Sequence, residues 1–248
     1  MKPELRDSFI QRWQMYFNSA DLPITFYYTN NPEDVEIITS SGKWNCLICE
    51  LQKVRSGESL AFSSESLKCG GAKRYLGFTD KMRPNFAYFL SCGIENEMEG
   101  ERYIRTPELV EELMKNQKKL NIPGRYIVFK RWDKLNEKDT PDVAIFFASP
   151  DILSGLFTLA NYDQSEPNST FAPFGAGCGS IVYYPYLEKD SLRPRAVIGM
   201  LDVSARPCVP AGVLTFSVPM NKLTKMISYM EESFLITDSW KKVQKRIN

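Results

Sequence analysis

The sequence predicts an α+β fold: a mixed or largely antiparallel sheet with flanking helices, in one compact unit over residues 1–248. Three observations point there. Strand and helix patterns occur in mixed order, without the regular alternation that builds a doubly wound sheet. The strand patterns are dense in β-branched and aromatic residues, RYIVFKRW and DVAIFFAS most clearly. No internal period, low-complexity segment or linker rich in Pro, Gly or Ser separates two halves.

The elements follow in order. Leu5, Phe9, Ile10, Trp13 and Phe17 recur at spacings of three and four, so residues 3–19 form a helix with one apolar face. PITFYYT is a strand. Trp44, Leu47, Ile48, Leu51 and Val54 share the face of a second helix, which carries Cys46 and Cys49 and ends at Ser56-Gly57; SLAFS is the next strand. KCGGAKRYLGF puts a double glycine ahead of a short helix. Thr106-Pro107-Glu108 starts a helix expected to run to Gly124, its acids leading and its lysines trailing as the helix dipole favours.

RYIVFKRW and DVAIFFAS then supply strands, and Ser149-Pro150 caps a helix through SPDILSGLFTLANY. Residues 163–179, rich in Ser, Pro, Asn and Gly, form a long loop of the kind that is often functional. A short helix in SIVYYPYLE, a strand in RAVIGML, a turn in DVSARPC, a strand in GVLTFSVP and an amphipathic helix from Met220 to Phe234 complete the order. The basic tail KKVQKR is a solvated helix face.

Composition narrows the function. With 43% hydrophobic and 12% aromatic residues the chain can bury a sizeable core. Lys plus Arg number 31 against 30 Asp plus Glu, so no global excess of charge exists to neutralise phosphates or an anionic membrane, and neither nucleic acid nor membrane is expected as a partner. The N-terminus lacks a secretory apolar core and no stretch is long enough to span a bilayer, which gives a cytoplasmic expectation. In that compartment the six cysteines are read as core residues, reactive thiols or metal ligands before disulfides. The chain has no histidine. Ser-His and Cys-His nucleophiles and imidazole metal ligands are therefore excluded, and any reactive thiol needs another activator.

Four constellations could carry chemistry. In FGAGCGS, Gly175, Gly177 and Gly179 free the backbone around Cys178, and a helix starting at SIVYY would set the thiol at a positive dipole end that favours a thiolate or a bound anion. It is neither a phosphate loop nor a dinucleotide fingerprint, and a tight turn with an inert thiol explains it equally. Cys69, followed by Gly70 and Gly71 and flanked by Lys68 and Lys73, repeats the theme. Cys46 and Cys49 have the spacing of a metal clip or redox pair but lack the second pair of a zinc ribbon; burial on an amphipathic helix is the simpler account. A cysteine-only set of Cys49, Cys69, Cys178 and Cys208 would satisfy an iron–sulfur cluster or other metal. In DVSARPC, Arg206 offers a fork for a carboxylate or phosphate, or with Asp202 simply pins the turn.

The runs SGESLAFSSESLKCGGAKRYLGF, DKLNEKDTPDVAIFFASPDILSGLFTLANYD, FGAGCGS before YYPYLE, and ARPCVPAGVLTFSVPMNKL occur in an order that resembles domain of unknown function family 169, a group of uncharacterised archaeal and bacterial proteins. The resemblance runs from about Lys43 to Phe234 and is most specific at Cys69-Gly70-Gly71-Ala72 with Gly77, at Pro141-Asp142-Val143 with Ser149-Pro150, and at Cys178. The Cys46/Cys49 pair has no clear place in it. It supplies no activity, and implies only that Cys69, Cys178 and, by extension, Cys208 belong to family motifs.

Three readings result. Cys69 and Cys178 with their glycines form one pocket for a small anionic ligand or cofactor, with thiol chemistry open to it; or several cysteines hold a metal or iron–sulfur cluster; or the tyrosines of FYYTNN and IVYYPYL make a non-enzymatic interaction surface. Neither cofactor, oligomeric state nor enzymatic activity is specified.

Overall fold

A computed structural model describes residues 1–39 and 45–247. In chain order the elements are α1 (Pro3–Phe17), β1 (Ile24–Thr29), β2 (Glu36–Ile37), α2 (Leu47–Arg55), β3 (Leu60–Phe62), α3 (Gly70–Tyr75), α4 (Phe86–Leu90), β4 (Gly93–Ile94), β5 (Met98–Glu99), α5 (Pro107–Asn116), β6 (Tyr126–Arg131), β7 (Val143–Ala148), α6 (Pro150–Ala160), β8 (Thr170–Phe171), α7 (Tyr184–Glu188), β9 (Ala196–Gly199), β10 (Leu214–Pro219), α8 (Met220–Tyr229) and α9 (Asp238–Gln244). The α+β expectation holds. The main sheet runs β2-β3-β6-β1-β7-β10-β9-β8, antiparallel from β3 through β9, with β2 and β8 added parallel at the two edges.

Alternation along the strands gives the sheet two buried faces. Val143, Ile145 and Phe147 join Ile24, Phe26, Tyr28, Leu60, Phe62, Ile127 and Phe129 on the face covered by α2, α3, α7 and the loops around them. Ala144, Phe146, Ala148, Phe216 and Val218 point the other way, against Phe9, Trp13 and Phe17 of α1, Leu156 of α6, Met226 of α8 and Trp240 of α9. Beside Tyr27 and Val128, the buried Lys130 ammonium donates to both carboxylate oxygens of Asp139 at 2.9 and 3.1 Å, and Tyr27 donates its phenol proton to the same group. That ion pair satisfies a lysine which would otherwise be costly inside the sheet.

Several boundaries differ from the sequence expectations, each for a tertiary reason. Helix α5 stops at Asn116 because Gln117 turns extended and carries Leu120 into the core, which outweighs the helix propensity of the lysine run. The long loop contains β8, whose residues gain ladder bonds from β9. The helix expected to reach Phe234 ends at Tyr229, and a 3₁₀ turn, Phe234–Ile236, follows. Ser149 precedes α6 without a side-chain cap bond, whereas Thr106 accepts one from the Leu109 N–H. Trp44, expected at the start of the second helix, lies outside the described residues. Among the described residues no helix is long and apolar enough to cross a membrane.

Candidate functional site

The first covering element, α2, is held by its apolar face: Leu47, Ile48, Leu51 and Val54 are buried, so the helix cannot roll, and Cys49 is turned outward. Cys46 is the extended residue before the first turn, and its carbonyl accepts from the Glu50 N–H at 3.1 Å. Facing them is the loop after β9, which ends in a 3₁₀ turn, Arg206–Cys208. Cys49 and Cys208 are joined as a disulfide, and the sulfurs of Cys46, Cys49 and Cys208 all lie within 4.8 Å of one another. This corrects the expectation that the thiols stand reduced. Two chain segments 159 residues apart are cross-linked at the site.

The loop after β9 is fixed from inside. The Arg206 guanidinium donates to the carbonyls of Val213 at 2.6 Å, Ala211 at 2.7 Å, Pro210 at 3.2 Å and Met200 at 3.3 Å. Its terminal nitrogens are engaged in shaping the turn that presents Cys208. Asp202 works outward to the neighbouring loop: one carboxylate oxygen accepts from the Gly177 N–H at 2.8 Å, the other from the N–H and hydroxyl of Ser204 at 3.0 and 2.8 Å. Asp202 and Arg206 thus both hold the turn, through backbone groups of different segments.

Cys178 follows Gly177 and enters a π-helical turn, Gly179–Tyr183, that leads into α7. Its thiol is buried under the cluster. Burial first, then the nearby Cys69 and Cys46 and the Asp202 carboxylate, push its pKa well above the usual thiol range. The expected thiolate at a helix start is thereby reversed: loss of water outweighs whatever the turn contributes. Cys69 is the half-buried residue before α3 and packs against the same core.

Two glycines explain how closely these pieces meet. A Cβ on Gly177 would sit 3.1 Å from Ala205 Cβ and 3.2 Å from Met200 Sδ, and one on Gly179 would sit 3.0 Å from the Tyr75 ring. At Gly70 the same construction meets open space. Gly71 would approach Cys69 Sγ at 3.7 Å, and Gly175 the Tyr75 hydroxyl at 3.5 Å, both ordinary contacts. The glycines at 177 and 179 therefore serve close packing.

Of the residues singled out by sequence, Cys49 and Cys208 meet directly, and Cys69 lies near enough to Cys178 to act on its ionisation. Cys46, left out of the four-cysteine set, comes with them. Its signal was the Cys46-Leu47-Ile48-Cys49 spacing itself, and the simple-burial account fails for Cys49, which is exposed. Cys92 lies apart, exposed beside the small β4–β5 hairpin. The tyrosines offered as an interaction surface are mostly interior: Tyr27, Tyr28, Tyr183 and Tyr186 are buried and Tyr184 is half-buried. That removes the main support for the interaction-surface reading.

A family model, DUF169, described as uncharacterised ArCR, matches residues 16–229 of the 248, a span that includes every cysteine of the cluster. No curated protein and no solved structure matches the chain.

Proposed function

The chain belongs to the DUF169 family, and from that premise, which carries no activity of its own, we propose that it is a thiolate metal-binding protein. In this reading Cys46, Cys49 and Cys208 hold the metal once the Cys49–Cys208 disulfide is reduced, and Cys69 or Cys178 is the nearest source of a fourth sulfur. One observation carries it: three sulfurs from two remote segments lie within 4.8 Å of one another. Tetrahedral zinc–thiolate bonds of about 2.3 Å set sulfurs about 3.8 Å apart, which suits a cluster of that size. A donor set of sulfur without imidazole selects soft ions such as zinc or the iron of an iron–sulfur cluster. Cys178, protonated in the oxidised form, would have to lose its proton to bind, and a cation beside it supplies the reason to do so.

The test is metal content and the ultraviolet–visible spectrum of protein purified anaerobically under reducing conditions from zinc- and iron-replete cells. The expected result is one zinc, or one cluster, per chain, lost in Cys49→Ser and Cys208→Ser. Reduced protein with every thiol titratable that takes up neither zinc nor iron would end this reading.

A second reading is favoured by the position of Cys46 beside a disulfide. Its thiolate can attack Cys49 Sγ, forming a Cys46–Cys49 bond while the Cys49–Cys208 bond breaks and its electron pair leaves on Cys208, which takes up the proton Cys46 gave up. Alkylation followed by peptide mass analysis separates the two: metal-free protein with both disulfide isomers populated supports exchange, and a single isomer opposes it.

A further inference from the structure

Beside Tyr75 lies a recess of about 210 Å³, walled by Arg74 and Tyr75 of α3, by Gln117, Lys118 and Lys119 after α5, and by Tyr183. Its charges are unbalanced. Lys119 pairs with Asp80 at 2.5 Å, but among the described residues neither Arg74 nor Lys118 forms an ion pair. Among the described residues the Arg74 guanidinium is held by neutral oxygens, the Asp80 carbonyl at 2.9 Å and Gln117 Oε1 at 3.3 Å, and its buried Nε has no partner. A buried donor without a partner is an expensive arrangement unless an acceptor completes it, and for a guanidinium an oxyanion is the strongest such acceptor.

The neutral groups are arranged in the same sense. Tyr75 accepts at its hydroxyl from Gln117 Nε2 at 3.4 Å, which leaves its own proton to donate, while Tyr183 spends its proton on the Lys118 carbonyl at 2.7 Å and anchors that wall. Three cations face one carboxylate, a surplus of two positive charges.

We infer that this recess binds a small oxyanion, a phosphate or carboxylate group of a small molecule, through Arg74, Lys118 and the Tyr75 hydroxyl. The planar guanidinium supplies directed donors and the ammonium a point charge, the usual division of labour at oxyanion sites. The inference stands independently of the metal reading, since no cysteine is among these wall residues. It places the anion one side chain from the thiols, because the Tyr75 ring packs against Gly179, next to Cys178.

The experiment is calorimetric titration and thermal melting of the full chain with inorganic phosphate, pyrophosphate and malonate, against sodium chloride at equal ionic strength. Saturable binding is expected for at least one of them, weakened tenfold or more in Arg74→Gln and several-fold in Lys118→Gln. A phosphate or a malonate preference identifies the group. Lys118 is exposed, so Lys118→Gln keeps the test valid if Arg74→Gln fails to fold. Shifts equal to those of sodium chloride, or affinities unchanged in Lys118→Gln, would overturn the assignment.

Discussion

The two faces of the sheet are covered in opposite ways. One carries long helices, α1 of 15 residues, α6 of 11 and α8 of 10, whose aromatics interlock: Trp13 stacks on Phe17 at 4.2 Å and meets Phe146 at 5.0 Å. The other is covered by α2 of 9 residues, α3 of 6, a π-helical turn of 5 and a 3₁₀ turn of 3, tied together by Arg206, Asp202 and a disulfide. The strands beneath bury apolar side chains on both sides. The difference lies in the cover: packing area stabilises one side, and polar ties and a cross-link position Cys49, Cys208 and the Cys178 loop on the other.

The sharpest way to break that contrast is to damage the helical side and watch the thiols. Trp13→Ala should cost about 3–5 kcal/mol, as deletion of a buried aromatic does, measured by urea unfolding, while zinc uptake by the folded, reduced protein stays at its original stoichiometry. If metal uptake falls with Trp13, the faces are not independent. On the cysteine side, reducing the disulfide opens a link across 159 residues and should cost about 2–5 kcal/mol by releasing the unfolded chain. Added zinc should restore part of that loss, because ligand held only by the folded state stabilises it. Cys208→Ser should show the loss without the restoration.

Matched glycine substitutions sharpen the comparison at smaller scale. On the helical side a Cβ at Gly155 would come within 2.4 Å of the Trp240 ring, and on the cysteine side one at Gly179 would lie 3.0 Å from Tyr75. Gly155→Ala should cost about 1–3 kcal/mol and Gly179→Ala about 1 kcal/mol, by overpacking. Only the second should change alkylation rates at Cys69 and Cys178, since Tyr75 belongs to the helix that Cys69 introduces.

The sequence disclosed these faces unevenly. Periodicity located α1 and α2, because one apolar face leaves a period of 3.6 in the letters, while β1, β6, β7 and β10, buried on both faces, were located by their density of β-branched and aromatic residues. The same period on α2 suggested burial for its cysteines, yet Cys49 falls in the gap between Ile48 and Leu51 where the helix turns to solvent. Pairing of Cys49 with Cys208 was not legible, nor was the Lys130–Asp139 pair, since both depend on loops and strands being brought together by the whole sheet. The glycines at 177 and 179 were read as marks of a ligand loop. Their neighbours Ala205, Met200 and Tyr75 show a packing requirement that a single sequence cannot distinguish from ligand approach.

The smallest expected effect tests the burial of Cys178. Its folded pKa is raised by desolvation first, then by the thiols and carboxylate nearby, whereas in the unfolded chain it titrates near about 8.5. Below that pH both states are protonated and the contribution is complete. Above it the unfolded chain releases a proton that the folded chain retains, so stability falls as pH rises, by at most about 1.4 kcal/mol per pH unit. Cys178→Ala should lower stability at pH 7 by a small cavity cost yet lose less from pH 8 to 10 than the parent, when both are unfolded with urea in the metal-free oxidised form. Parallel pH dependence in the two proteins would mean that Cys178 ionises freely when folded, and the buried floor of the cysteine face would then be open to water.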